Sequence, residues 1–255
     1  MSFVIATCSH LLVGGYDISG DLTGLDVSYT SEGQDATTMG HDTRRVVGGL
    51  KTSAIAARGY LNLGSSQNEP VLFDNVGVDG TLVTAFLDGI TTGSTTAVGY
   101  GMGTMQGSLN IGVNIGALVP FDLAAMNGSL LVKAVPLENW LSTALSTDLA
   151  TGDSFNLGGA ATSEQLYAGF HVTAVSTSLA GSVSAIIQAA SSSGFGTANT
   201  RVSFSALSTK GGTLATPIAP SALSTDQPWY RSRITTTTGT STGSASNGLI
   251  WMAIA

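Results

Sequence analysis

Residues 17–61 read DISGDLTGLDVSYTSEGQDATTMGHDTRRVVGGLKTSAIAARGYL, and the last part of this stretch decides the fold class. Ser53, Ile55, Ala57 and Gly59 alternate with Ala54, Ala56, Arg58 and Tyr60. Successive side chains on a strand point to opposite faces, so the alternation predicts an extended strand over 51–63. VSYT at 27–30 is a second strand candidate. Gly48-Gly49, after Arg44, Arg45, Val46 and Val47, is a turn signal.

The same reading extends outward. NEPVLFDNVG at 68–77 is the best helix candidate, with Asn68 as N-cap, Pro70 in the first turn and Gly77 as the stop. TLVTAFLDGI (81–90), SLNIGVNIGALVPFDL (108–123) and GSLLVKAVPL (128–137) are strand-like, separated by Gly or Asn-Gly. Residues 136–165 read as a connection that either holds a short helix around 137–145 or starts the next domain. From about Leu166, FHVTAVSTS, GSVSAIIQAAS, RVSFSAL, WYRSRITTTT and NGLIWMAIA are evenly spaced strand candidates, the pattern of a β-sandwich. The expectation is a mainly β chain: a first β domain over 1–135 with one short helix, a linker over 136–165, and a second sandwich over 166–255.

Composition narrows the function classes. The 255 residues include 33 Gly and only 10% charged residues, against about 25% in an ordinary soluble domain. Obligate interfaces are depleted in charge, so a surface covered by partners is expected. Nine Lys+Arg against sixteen Asp+Glu give a net charge of −7, which lacks the basic footprint of a nucleic-acid binder. No run of about 18 apolar residues predicts a membrane span. MSFVIATCSHLLVGGYD has no Lys or Arg ahead of its apolar stretch, so it reads as no signal peptide and as a protein made in the cytoplasm.

No catalytic or metal constellation emerges. Cys8-Ser9-His10 is too tight for common zinc spacings. DISGDLTGLD departs from a calcium loop because the sixth position is Leu22 and the twelfth is Ser28. GYGMGTMQG (99–107) fails the dinucleotide fingerprint at Thr104 and Gln106 and reads as a turning β segment. His171 reads as a strand-face residue. Trp140, Trp229 and Trp251 read first as core or interface aromatics. No enzyme, cofactor or metal is expected. Arg44 and Arg45 read as an interface pair, with Asp35 and Asp42 or acids of another subunit as candidate partners.

Residues 17–61 resemble the tail tube proteins of long-tailed bacteriophages. Asp35-Ala-Thr-Thr-Met-Gly40 after a strand, the pair Arg44-Arg45, Gly48-Gly49-Leu50-Lys51 and a long strand ending in Gly59-Tyr60 carry the likeness. The resemblance covers about the first half of the chain. The second half resembles immunoglobulin-like or lectin-like sandwiches appended to phage structural proteins. The resemblance implies a virion protein whose subunits form stacked rings, hexameric in that family, around a lumen through which DNA passes without specific binding. Its partners would be further copies of itself and other virion proteins, with no membrane. Strands would cover about 22–30 and 51–63, and a ring-stacking loop about 31–49. That loop would place Asp35, His41, Asp42, Arg44 and Arg45 between subunits. The alternatives are a capsid decoration protein and, lower, a carbohydrate-binding adhesion module, which an exposed Trp229 or Trp251 would favour.

Overall fold

Strand β6 (Gly99–Ile111) organises the molecule. In the computed structural model, which describes residues 9–39, 43–63, 68–93, 99–127, 130–141, 153–159, 163–175, 182–218, 226–237 and 246–255, one edge of β6 pairs with β5 (Thr81–Phe86). The other edge pairs first with β8 (Val132–Asn139), Gly99 opposite Ala134, and further along with β7 (Pro120–Asn127), Ile111 opposite Phe121. The two branches part there. Beyond β7 lie β4 (Val46–Tyr60) and β3 (Leu22–Asp35). Beyond β8 lie β15 (Ser246–Ile254), β10 (Leu166–Val175) and β13 (Gly211–Leu214). Beyond β5 lie β1 (His10–Val13) and β2 (Tyr16–Asp17). A separate four-stranded sheet runs β12-β11-β14-β9, from Asn199–Ser203, Ser182–Ala190, Trp229–Thr237 and Ser154–Asn156.

The chain is thus mainly β, as its alternation predicts. The strands of one sheet come from both ends of the sequence. β15 and β10 are buried on both faces. Leu249, Trp251 and Ala253 point into one core cluster with Leu12, Leu82, Phe86, Val132 and Ala134. Ile250 and Met252 point into another, shared with Phe170 of the same sheet, Ile187 and Ile234 of the facing sheet, and Phe204 just past β12. A third cluster joins Ile55, Ala57, Leu72, Phe121, Leu123 and Ala125. The first two clusters make β8, β15 and β10 a common wall between a nearly closed barrel and a sandwich.

The barrel closes where the first and last strands of its path meet. The backbone of Gly14-Gly15 lies against Gly211-Gly212, and a Cβ on Gly15 would collide with the Gly211 backbone. A buried polar relay crosses this seam. Trp251 Nε1–H donates to Thr84 Oγ1 at 2.8 Å. The Thr84 hydroxyl donates to His171 Nε2 at 2.7 Å, and His171 Nδ1–H donates to the Gly14 carbonyl at 2.6 Å. The carbonyl can only accept, so Nδ1 carries a proton, and burial keeps the ring neutral, which leaves Nε2 to accept from Thr84. Burial pushes His171 down to about 4, against the opposing pull of the Gly14 carbonyl and the Asp17 charge.

The helix appears as α1 (Asn68–Asp74), but Asn68 is a clasp rather than a cap. Its amide donates to the Tyr60 carbonyl and to Asp21, both at 2.9 Å, and its oxygen accepts from the Asn62 N–H at 2.7 Å. Replacing it with Ala removes three bonds to partners that stay part-buried. The expected cost is about 1–3 kcal/mol in urea unfolding. Gly77 stands in the left-handed region (φ +80°) just past the helix, where only glycine is unstrained.

Several sequence expectations change. GYGMGTMQG is no turn: its backbone continues through β6. Residues 137–139, expected to start a helix, belong to β8, because Leu137 fills the sandwich core; residues 142–150 lie outside the described residues. β9 falls inside 136–165. Trp251 and Trp140 are buried, which removes both from any sugar-stacking surface; Trp229 is half-buried.

A candidate assembly surface

β3 and β4 pair from Leu22↔Gly59 to Asp35↔Val46. Only the half near Tyr60 rests on the core. There Ile55 and Ala57 are buried, while Ala56 and Arg58 face outward. Beyond Ser53 the core ends but the pairing continues, so the two strands leave the body as an arm exposed on both faces. Hydrogen bonds across the pair and a Lys51 ammonium 5.6 Å from the Tyr29 ring centre support it. The expected loop over 31–49 is therefore mostly strand, and the connecting segment is 36–45.

The arm carries exposed apolar side chains. Leu50 is 79% exposed and Val46 54%, with Val47 and Tyr29 also open. Water-facing groups of this size on a two-stranded ribbon are the signature of a surface that meets a partner. Among the described residues β3 pairs only with β4, and its other edge has no strand partner. Open edges of this length invite strand addition.

The arm tip is knit by polar bonds. Asp35 Oδ1 accepts the Thr37 N–H at 2.9 Å, and Arg44 Nε donates to Asp35 Oδ2 at 3.0 Å. Thr37 Oγ1 accepts the Arg45 N–H at 2.9 Å. Bonds to Thr37, with a smaller contribution from Arg44, hold the Asp35 carboxyl below the usual carboxylate range. Of the expected inter-subunit residues, Asp35, Arg44 and Arg45 come together here, Asp35 pairing with Arg44 in the same chain. His41 and Asp42 lie outside the described residues.

The outward face of β3-β4-β7-β6 is lined by short or polar side chains. A shallow hollow of about 510 Å³ is bordered by Ala56, Arg58, Ser108, Asn110, Asp122 and Ala124. Arg58 is neutralised across the strand pair by Asp122 at 3.3 Å, both well exposed. At the far end from the arm, the β6–β7 connection exposes Val113, Ile115 and Leu118. Among the described residues no three His, Cys, Asp or Glu stand close enough to hold a metal. His171 is committed to the relay. No helix among the described residues is long and apolar enough to cross a membrane.

A scan against protein-family models finds no match, and a search of curated proteins finds none. Solved structures give low-level likenesses. The Dit (gp 19.1) protein of phage SPP1 aligns over 97% of this chain and 99% of its own, at 11% identity and TM-score 0.38. A chain from the tail of an empty gene transfer agent particle, refined with C6 symmetry, aligns with 48% of this chain and 94% of its own, at 14% identity and TM-score 0.36. A chain of the sheath–tube complex of an extracellular contractile injection system aligns with 51% of this chain and 92% of its own, at 12% identity and TM-score 0.36.

Proposed function

We propose that the protein is a non-enzymatic structural subunit of a phage tail, within the tail a tube subunit, that self-associates into stacked rings in the virion. The observation that carries this reading is the β3–β4 arm, a long paired ribbon beyond the core with exposed apolar side chains and one open strand edge. The residues that make it are those of the tail-tube resemblance. In this reading residues 1–135 supply the arm and most of the ring-forming sheet, 166–255 supply the outward sandwich and the strands β10, β13 and β15 that complete that sheet, and 136–165 connect them. The β3-β4-β7-β6 face would line the lumen. Its alanines, serine and internally paired Arg58 offer DNA phosphates little to hold, which favours passage over binding.

Negative-stain electron microscopy of the purified protein over a range of concentrations tests the reading. Stacked rings or tubes with an open lumen are expected. Arg45→Glu and Leu50→Asp should suppress them while leaving circular dichroism unchanged, because both side chains stand on the arm away from the core. Monomers at every concentration would overturn the assignment.

A further inference from the structure

The second sheet has a charge pattern opposite to that of the whole chain. Its four strands read SFN, SVSAIIQAA, NTRVS and WYRSRITTT, with three Arg and no Asp or Glu. Those three are a third of the nine Lys+Arg in a protein of net charge −7. On β14, Tyr230, Ser232 and Ile234 are buried in the sandwich, so Trp229, Arg231 and Arg233 share the outward face. Arg231 is flanked by Gln188 on β11 and Ser154 on β9, and Arg233 faces Ile186. The Arg231 guanidinium is pre-positioned: Nε donates to Gln188 at 3.0 Å, and its carbon stands 4.2 Å from the Phe195 ring centre. Its anchors are neutral, so its charge is fixed in place without being cancelled. Neither Arg231 nor Arg233 makes an ion pair among the described residues.

A complementary surface exists elsewhere on the same chain. Between Arg58 and Lys133 the sequence has no Lys or Arg. Within that span, α1 and the turn after it expose Phe73 (65%), Val76 and Val78 beside the exposed carboxylates of Asp74 and Asp79. Neither carboxylate makes an ion pair among the described residues. Lys210, across a cleft from Asp79, sits over the Tyr16 ring instead. The acidic patch covers the core cluster of Leu72, and the arginine face covers that of Ile187.

We propose that the outward face of the β12-β11-β14-β9 sheet docks on the Phe73–Asp79 surface of a second copy of this chain. Arg231 and Arg233 would meet Asp74 and Asp79, and Phe73 would fill the apolar centre beside Trp229 and Ile186. Buried aromatic anchors and pre-organised Arg are the features that concentrate binding energy at interfaces. Two different patches meeting head to tail make a heterologous contact, the type that closes into rings. The proposal deepens the self-assembly reading and rests on it.

Sedimentation velocity of the full chain, over protein concentration and at low and high salt, is the test. The wild type should associate, and less so in high salt. Two reversed variants, Arg231→Glu/Arg233→Glu and Asp74→Arg/Asp79→Arg, should each need at least about tenfold more protein to associate, since like charges then face each other. Mixing the two should restore association, because each supplies the surface the other now needs. Arg233→Glu alone, which leaves the Phe195 stack intact, should show a smaller shift in the same direction and guards against misfolding. A wild type that stays monomeric, reversed variants that associate like wild type, or a mixture that does not recover would each overturn the proposal. Micrographs of the same samples separate the two readings. Rings in every variant would remove this contact and keep the ring assignment. Charge-dependent open chains without rings would do the reverse.

Discussion

Trp251→Ala is expected to lower stability by about 3–5 kcal/mol, the range for removing a fully buried large aromatic, and the melting temperature by about 10 °C for a chain of this size. Trp251 is fully buried in the barrel. Its ring lies where two strands offer no side chain: a Cβ on Gly101 of β6 or on Gly169 of β10 would overlap it. Alanine would leave the space those glycines vacate unfilled, and Thr84 would lose a donor. Trp251→Phe is intermediate: it removes the N–H and the second ring but keeps one aromatic ring in the core, so about 2–3 kcal/mol is expected. Gly169→Val should be as harmful as the alanine variant, since the added carbons meet the indole beside a strand paired residue for residue. Urea unfolding followed by circular dichroism measures all three. Wild-type stability in Trp251→Ala would mean that the barrel does not depend on this residue.

The importance of Trp251 was only partly legible in the sequence, and the reason is physical. Alternation is a local signal, so Ser53–Tyr60 shows its inward and outward residues directly, and the short helix at Asn68 is flagged by its Pro and Gly. Which strands lie side by side is set by non-local pairing. β8 with β15 and β10 with β15 join residues over a hundred and about eighty positions apart, and no window of sequence holds both partners. Glycine misleads in the same way. In GYGMGTMQG it lowers strand propensity, yet Gly101 is glycine because another strand's tryptophan comes close, a use that interior strand glycines often mark. The outer part of the arm reads as a loop because Ser31–Asp35 and Val46–Leu50 touch no core, and without a core there is no alternation to read. His171 was placed correctly on a strand face, but its bonds to Thr84 and Gly14 join three separate elements. Of the residues expected between subunits, Asp35, Arg44 and Arg45 stand together at the arm tip. The arginine face of the second sheet was missed, although three Arg and no acid in four strands were there to be counted.

The buried relay makes stability depend on pH in a defined window. In the unfolded chain His171 titrates near its ordinary value of 6.5; in the folded barrel burial holds it down to about 4. Above 6.5 the imidazole is neutral in both states, and the relay contributes in full. Between 6.5 and 4 the unfolded state takes up a proton that the folded state refuses, so stability falls as pH falls. Below 4 both states are protonated, and this group adds no further change. Each pH unit is worth about 1.4 kcal/mol, so the full loss is about 3 kcal/mol. Glu138 works against it. Its carboxyl is raised, mainly by burial and further by Asp153, so its share of stability grows as pH falls through its folded value. Asp35 is held low, so it acts at more acid pH. The measurement is therefore a difference between urea unfolding curves from pH 7 to 4 for wild type and His171→Gln. Glutamine can still donate to the Gly14 carbonyl and accept from Thr84, but it does not titrate. The wild-type curve should fall below the variant's by about 3 kcal/mol across the window after the two are matched at pH 7. The seam should loosen first on its Thr84 side, since the protonated ring can no longer accept from that hydroxyl while its Nδ1–H still holds the Gly14 carbonyl. Amide exchange of Gly14, whose N–H donates to the Leu82 carbonyl, rising before that of the sandwich strands is the local sign. Parallel curves for the two proteins would show that His171 is already charged or water-exposed in the fold, and that the barrel is closed by packing alone.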